Sequence, residues 1–255
     1  MSETSIRDHV RAIQDCNQRG GRMLSLVDLL DAGTVDLPAA AYLAAAMRLG
    51  ASLLVGAQPG GAGKTAVMCA LLNFLPDRTI LRPVDHPSVL ADAQHDPSPG
   101  DICYLAHEIG AGHWYAYVWG EGARAFFRLA AQGHIIASNL HADTLEGTRD
   151  QLCRENGVEP AHLDAVTLKL YLRMRRPAGR PVRRWVSHVY ESDGTEDRLL
   201  WTGDGSGELT RHEESAVVSP EQEETYAEFL VSLRKGDIRW IEDVRRSLVH
   251  SLKKG

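Results

Sequence analysis

The segment Gln58-Pro59-Gly60-Gly61-Ala62-Gly63-Lys64-Thr65 constrains this chain more than any other stretch of it. Closely spaced glycines let a backbone double back on itself, and the flanking residues decide what the turn is for. Before it, Ala51 to Gly56 is a short apolar run ending in glycine, the pattern of a strand buried on both faces; after it, Thr65 to Leu75 has helical periodicity. Strand, glycine-rich loop and helix in that order make a phosphate cradle. The loop N–H groups turn inward, the helix N-terminus contributes the positive end of its dipole, and a lysine reaches the outer phosphates. The candidate nucleotide-binding set is therefore Gln58, Pro59, Gly60, Gly61, Ala62, Gly63, Lys64, Thr65 and Ala66, with Lys64 on the β and γ phosphates and Thr65 on Mg²⁺. The usual pattern has glycine where Gln58 stands, so a side chain crowds the first turn of this loop.

The rest of the chain supplies the sheet such a unit needs. Arg78 to Val84, Trp114 to Trp119 and His134 to Asn139 read as strands and Ala123 to Ala131 as a helix, an alternation that implies an α/β fold with a mostly parallel sheet covered on both faces. Between them, Asp85 to Gly100 carries Pro87, Pro97 and Pro99 and reads as a long surface connection. Upstream, Ile6, Val10 and Ile13 mark an amphipathic helix ending near Gly20-Gly21, Met23 to Leu30 reads as a second helix, and Pro38 opens an alanine-rich third. Beyond about residue 165 the pattern turns antiparallel. Leu168 to Arg175 and Val182 to Tyr190 flank the turn Pro177-Ala178-Gly179-Arg180, and Arg198 to Thr202 adds a third strand. Pro220 to Leu233 and Asp237 to Leu252 read as closing helices, with Ser219 and Asp237 as N-caps. The chain thus divides into a helical extension (1–23), a P-loop core (24–165) and a β-hairpin element with C-terminal helices (166–255).

With 255 residues, 44% hydrophobic, the chain has ample material for a buried core. A net charge of -6 provides no global basic field, so no nucleic-acid partner is expected. No apolar run is long enough to span a membrane and Met1 to Gln18 lacks the pattern of a signal peptide, so the expected location is cytoplasmic. Cys16, Cys69, Cys103 and Cys153 are scattered without a paired spacing, as reduced thiols are, and form no zinc motif.

Two further groups belong near the loop. Ligands of an open α/β sheet sit at the carboxyl ends of its strands. Glu121, following Trp114 to Trp119, is placed there to polarise the attacking water and to join the Mg²⁺ shell, and His141, following His134 to Asn139, faces the same crevice.

In this order the residues resemble the type II/type IV secretion ATPase superfamily, the traffic ATPases of secretion, pilus assembly and conjugation. Gly120-Glu121 followed by a helix, then Gly133-His134, an apolar strand and Leu140-His141-Ala142-Asp143-Thr144, is similar to that family's acidic and histidine boxes, and the likeness spans roughly residues 24 to 200. The resemblance implies a RecA-like core that hydrolyses ATP with Mg²⁺. It implies a homo-oligomer, normally a hexameric ring, located in the cytoplasm and peripheral at the inner face of the membrane. It makes Lys64, Glu121 and His141 the catalytic residues and Asp85, in Val84-Asp85-His86-Pro87, the counterpart of a further acidic motif near the metal. Three departures accompany it: Gln58 in the loop; Gly122-Ala123-Arg124 after the acid, which displaces the family's arginine; and only the residues before position 24 where the family has a domain that closes over the nucleotide and supplies arginines. A partner supplying that domain, or the secretion or pilus machinery itself, is therefore expected. The alternative is a hydrolysis-impaired relative acting as a nucleotide-binding regulatory or assembly subunit.

Arg173, Arg175, Arg176, Arg180, Arg183 and Arg184 gather on the predicted hairpin. Their alternation with Leu172 and Met174 is that of a half-exposed strand, and a solvated face or subunit contact is expected. The last helix places Trp240, Val244 and Leu248 on one face and is expected to pack on its own domain.

Overall fold

The computed structural model describes residues 3–17, 20–58, 60–95, 98–179 and 181–251. Among these residues the strands join into one nine-stranded sheet. The strands are β1 (Leu53–Gly56), β2 (Ile80–Pro83), β3 (Ile102–Ile109), β4 (Tyr117–Val118), β5 (Ile135–Leu140), β6 (Leu168–Arg175), β7 (Arg183–Ser192), β8 (Asp197–Gly203) and β9 (Leu209–Arg211). Their order is β2-β3-β5-β1-β6-β7-β8-β9, with β4 also paired to β3. From β2 to β6 every pairing is parallel, and β6 to β9 continues as an antiparallel meander. This is the mixed α/β arrangement, parallel around the loop-bearing strand, expected of the motif. The loop-bearing β1 lies between β5 and β6, where both its edges are hydrogen-bonded.

The helices are α1 (Glu3–Asp15), α2 (Leu26–Asp31), α3 (Leu37–Arg48), α4 (Lys64–Leu72), α5 (Pro87–Ala93), α6 (Glu121–Ala131), α7 (Leu145–Arg149), α8 (Pro160–Asp164), α9 (Pro220–Lys235) and α10 (Ile241–Ser251), and a π-helical turn spans Asp150–Glu155. The pleat divides the apolar side chains between two cores. Leu53, Val55, Cys103, Leu105 and Ala137 meet α1 to α4, α9 and α10, while Leu54, Tyr104, Ala106 and Ile136 meet α5, α6 and α8. The first core takes residues from all three segments of the sequence reading, among them Val10, Val55 and Leu248.

Several expectations change. Asp85 to Gly100 is interrupted by α5, because Pro87 occupies a first helical turn and the His86 side chain accepts from the Ser88 N–H to cap it. Asp237 does not cap α10; it takes φ +53 and ends α9, with Ile238 N–H donating to Leu233 and Asp237 N–H to Arg234. Ser219 caps α9 as expected, through a reciprocal capping box with Gln222. Arg180 and Leu252 lie outside the described residues. No helix among the described residues is long and apolar enough to cross a membrane.

The largest change concerns the strand leading to the acid. Trp114 to Trp119 contains only the two residues of β4, because Ala116 turns to φ +51 and breaks the extended run. The full strand is β3, an eight-residue element buried along its whole length.

Candidate active site

Lys64 opens α4, and Gly63 before it adopts φ +99, a conformation open to glycine without strain. The backbone N–H groups of Gly61, Ala62 and Gly63 donate to no acceptor among the described residues, which is the state a phosphate cradle requires. Gln58 and Gly60 are exposed, Ala62 is buried, and Thr65 and Ala66 are half-buried on the first turn of α4. Pro59 lies outside the described residues. Gly56, at the end of β1, admits no side chain: a Cβ there would collide with the Ala142 carbonyl and the Tyr171 ring.

The side chain that organises the site is Glu108, near the carboxyl end of β3. Its Oε1 lies 2.6 Å from Lys64 Nζ and 3.0 Å from His141 Nε2, and Lys64 Nζ is 3.4 Å from His141 Nδ1. Its Oε2 accepts a 2.7 Å hydrogen bond from the Tyr117 hydroxyl. Tyr117 stands opposite Glu108 in the β3–β4 pairing, so the short β4 strand is what brings the hydroxyl to the carboxylate. The β3–β5 register shifts between Ala106 and Ile109, and a bulge of this kind re-aims side chains at the end of a strand. Glu108 is 7% exposed. Burial raises its pKa, but the Lys64 ammonium and the Tyr117 hydroxyl outweigh burial and hold the carboxyl below its ordinary value. Beside it, burial lowers the His107 pKa, which keeps that ring neutral as it stacks on Tyr117 at 5.7 Å.

Asn139 links the strand ends. Its Nδ2 donates to the His107 carbonyl at 2.8 Å and lies 3.5 Å from Thr65 Oγ1, and its buried Oδ1 has no partner. The Thr65 hydroxyl and the unpartnered Asn139 oxygen are the hard oxygen donors that a hydrated divalent cation takes, so these residues fit Mg²⁺. No cluster of three or more His, Cys, Asp or Glu side chains among the described residues has the spacing of a protein-only metal cage.

Glu121 is the first residue of α6, exposed, and makes no hydrogen bond or ion pair with Lys64, Thr65 or His141. The acid placed beside Lys64 is Glu108. Asp85 is exposed in the turn between β2 and α5 and is likewise unconnected to this cluster. Lys64 and His141 are brought together as the sequence implied. Arg124 fastens α6 to the Asn156 carbonyl at 2.9 Å and does not enter the site. A signal for Glu108 was present in the sequence: Ile102 to Ile109 is apolar, carries its acid at the end and is bracketed by Gly100 and Gly110.

No protein-family model matches the chain. Among solved structures it is similar to the VirB11 ATPase of the Brucella suis type IV secretion system in complex with sulphate, at 19% identity and a TM-score of 0.45, over 65% of this chain and 54% of that one. It is also similar to the Legionella pneumophila ATPase DotB, at 10% identity and a TM-score of 0.41, over 68% of this chain and 52% of that one. The chain therefore spans about half the length of each. A stretch of 131 residues is 29% identical to estrogen receptor beta of Anguilla japonica, covering 48% of this chain and 22% of the receptor. At these levels none of the three likenesses bears on chemistry, which rests on the side chains themselves.

Proposed function

We propose that this chain is a P-loop ATPase that hydrolyses ATP with Mg²⁺ to power protein secretion, pilus assembly or conjugation. The observation that carries the reading is the convergence of Lys64, His141 and Tyr117 on Glu108, a single buried carboxylate at the mouth of the glycine-rich loop. The loop amides and Lys64 bind the phosphates, with Lys64 leaving Glu108 to do so. Glu108, held ionised, accepts the proton of the attacking water, and Tyr117 fixes its orientation. His141, half-exposed and bound to the same carboxylate, reports the arrival of the γ phosphate to β5 and α7. Thr65 and Asn139 would hold Mg²⁺, which would neutralise charge on the phosphates. By the sequence resemblance the working form is a homo-oligomer, a hexamer, cytoplasmic and peripheral at the inner face of the membrane. Its partner is the transport machinery.

The test is a titration of the full chain with ATP and Mg²⁺, reading binding and phosphate release in the same samples, with Lys64→Ala as the blank. Binding with steady, Lys64-dependent release supports the ATPase. Binding without release supports the regulatory subunit, and no binding by the wild-type chain overturns both.

A further inference from the structure

The hairpin arginines divide by face, and one of them reaches the phosphate loop. In the β6–β7 ladder Arg184 stands opposite Met174 and Arg183 opposite Arg175. Side chains alternate along a strand, so Arg183 and Arg184 point to opposite sides. Arg183 donates from Nη2 to the Ser206 carbonyl at 3.0 Å, whereas Arg184 donates from Nε to the Gly61 carbonyl at 2.8 Å. The Arg184 chain also lies along the loop, since a Cβ on Gly63 would meet its Cδ at 3.4 Å. Its two terminal nitrogens make no hydrogen bond or ion pair among the described residues.

That hydrogen bond has a directional consequence. The Gly61 carbonyl and the Ala62 N–H belong to one planar trans peptide and point opposite ways. Holding the carbonyl toward the hairpin turns the Ala62 N–H away from it, and this N–H has no acceptor among the described residues. The guanidinium also sets a second permanent positive charge beside the loop, in addition to Lys64.

We propose that Arg184 is a positioning residue of the phosphate site, supplied by the chain's own β-hairpin: it presets the Gly61–Ala62 peptide for nucleotide phosphate and adds its charge there. The proposal rests on the nucleotide-binding reading above. The hairpin is thereby part of the nucleotide site as well as a surface wing, through the one Arg184–Gly61 hydrogen bond described above.

The experiment measures affinities for ADP and for a non-hydrolysable ATP analogue with Mg²⁺, together with melting temperature, in the wild-type chain, Arg184→Ala, Arg184→Lys and Arg183→Ala. Arg183→Ala removes the same charge from the other face and controls for overall electrostatics. The expected result is a roughly tenfold weaker affinity for the analogue in Arg184→Ala, partial recovery in Arg184→Lys, a change of less than about twofold in Arg183→Ala, and unchanged melting temperatures. Equal weakening by Arg183→Ala and Arg184→Ala, or no weakening by Arg184→Ala, overturns the assignment while leaving the nucleotide-binding reading intact. A wild-type chain that binds neither nucleotide overturns both.

Discussion

Replacing Glu108 by Gln should move three observables in different directions. The Lys64–Glu108 pair, at 2.6 Å with side chains only 11% and 9% exposed, has a gross attraction of about 6 kcal/mol at an effective dielectric of 20. Desolvation of both ions offsets most of it, leaving a net ~1–3 kcal/mol. Losing the counter-charge should therefore lower the melting temperature by roughly 2–12 °C, taking about 2–4 °C per kcal/mol for a chain of this size. The same substitution releases Lys64, which no longer has to leave a carboxylate to reach phosphate, so nucleotide should bind equally well or up to about tenfold tighter, the equivalent of 1.4 kcal/mol. Turnover should fall by about 10²–10⁴, the usual contribution of a positioned general base. The assay is calorimetric titration with a non-hydrolysable ATP analogue, phosphate release and thermal unfolding on one preparation, with Glu121→Gln alongside. Weaker analogue binding by Glu108→Gln, or a larger loss of turnover in Glu121→Gln, would refute the reasoning.

Other perturbations probe the frame around the site. Arg245→Ala removes the buried guanidinium that donates to the carbonyls of Asn73 at 2.9 Å, Leu75 at 2.5 Å and Pro76 at 3.2 Å; it should destabilise the fold by about 2–3 kcal/mol in denaturant titration and leave nucleotide affinity within twofold. Gly56→Ala drives a methyl into the Ala142 carbonyl and the Tyr171 ring, so soluble yield and melting temperature should both drop, while the exposed Gly60→Ala should be mild in stability. Burial depresses the His9 pKa from 6.5 to about 3, so the folded state refuses a proton that the unfolded chain takes up below pH 6.5. Stability should therefore be fully present above pH 6.5 and decline by up to about 1.4 kcal/mol per unit between 6.5 and 3, a slope that His9→Gln should flatten in pH-dependent unfolding.

Much of the fold was legible because its signals are local. The glycine-rich loop announces itself through glycine spacing between an apolar strand and a helix, and the β6–β7 hairpin through its turn residues. What was illegible depends on tertiary pairing. The run Trp114 to Trp119 has stronger β propensity than Ile102 to Ile109, with its cysteine, histidine and glutamate, yet β3 is the strand. It lies between β2 and β5, where pairing along both edges and burial on both faces outweigh the preference of single residues. Glu108, the acid that meets Lys64, lies on that strand. Arg184 was legible as one member of a basic cluster, but its reach to Gly61 depends on a contact across 123 positions in the chain that no local pattern encodes.

The P-loop helix α4 is held at both ends. Its N-terminal loop is gripped by Arg184, and past its C-terminus Arg245 and the Asn73–Ile241 hydrogen bond fasten it to α10, while His9 of α1 lies 3.1 Å from the Leu72 carbonyl. Nine residues of helix span only about 13 Å. A rod so short and so firmly pinned has little capacity to absorb a displacement of the loop by bending. Such a rod would act as a pushrod: a displacement of the loop would be passed to its far end, at the α1 and α10 contacts. On the nucleotide-binding reading proposed above, occupancy of the loop would be felt at that remote face.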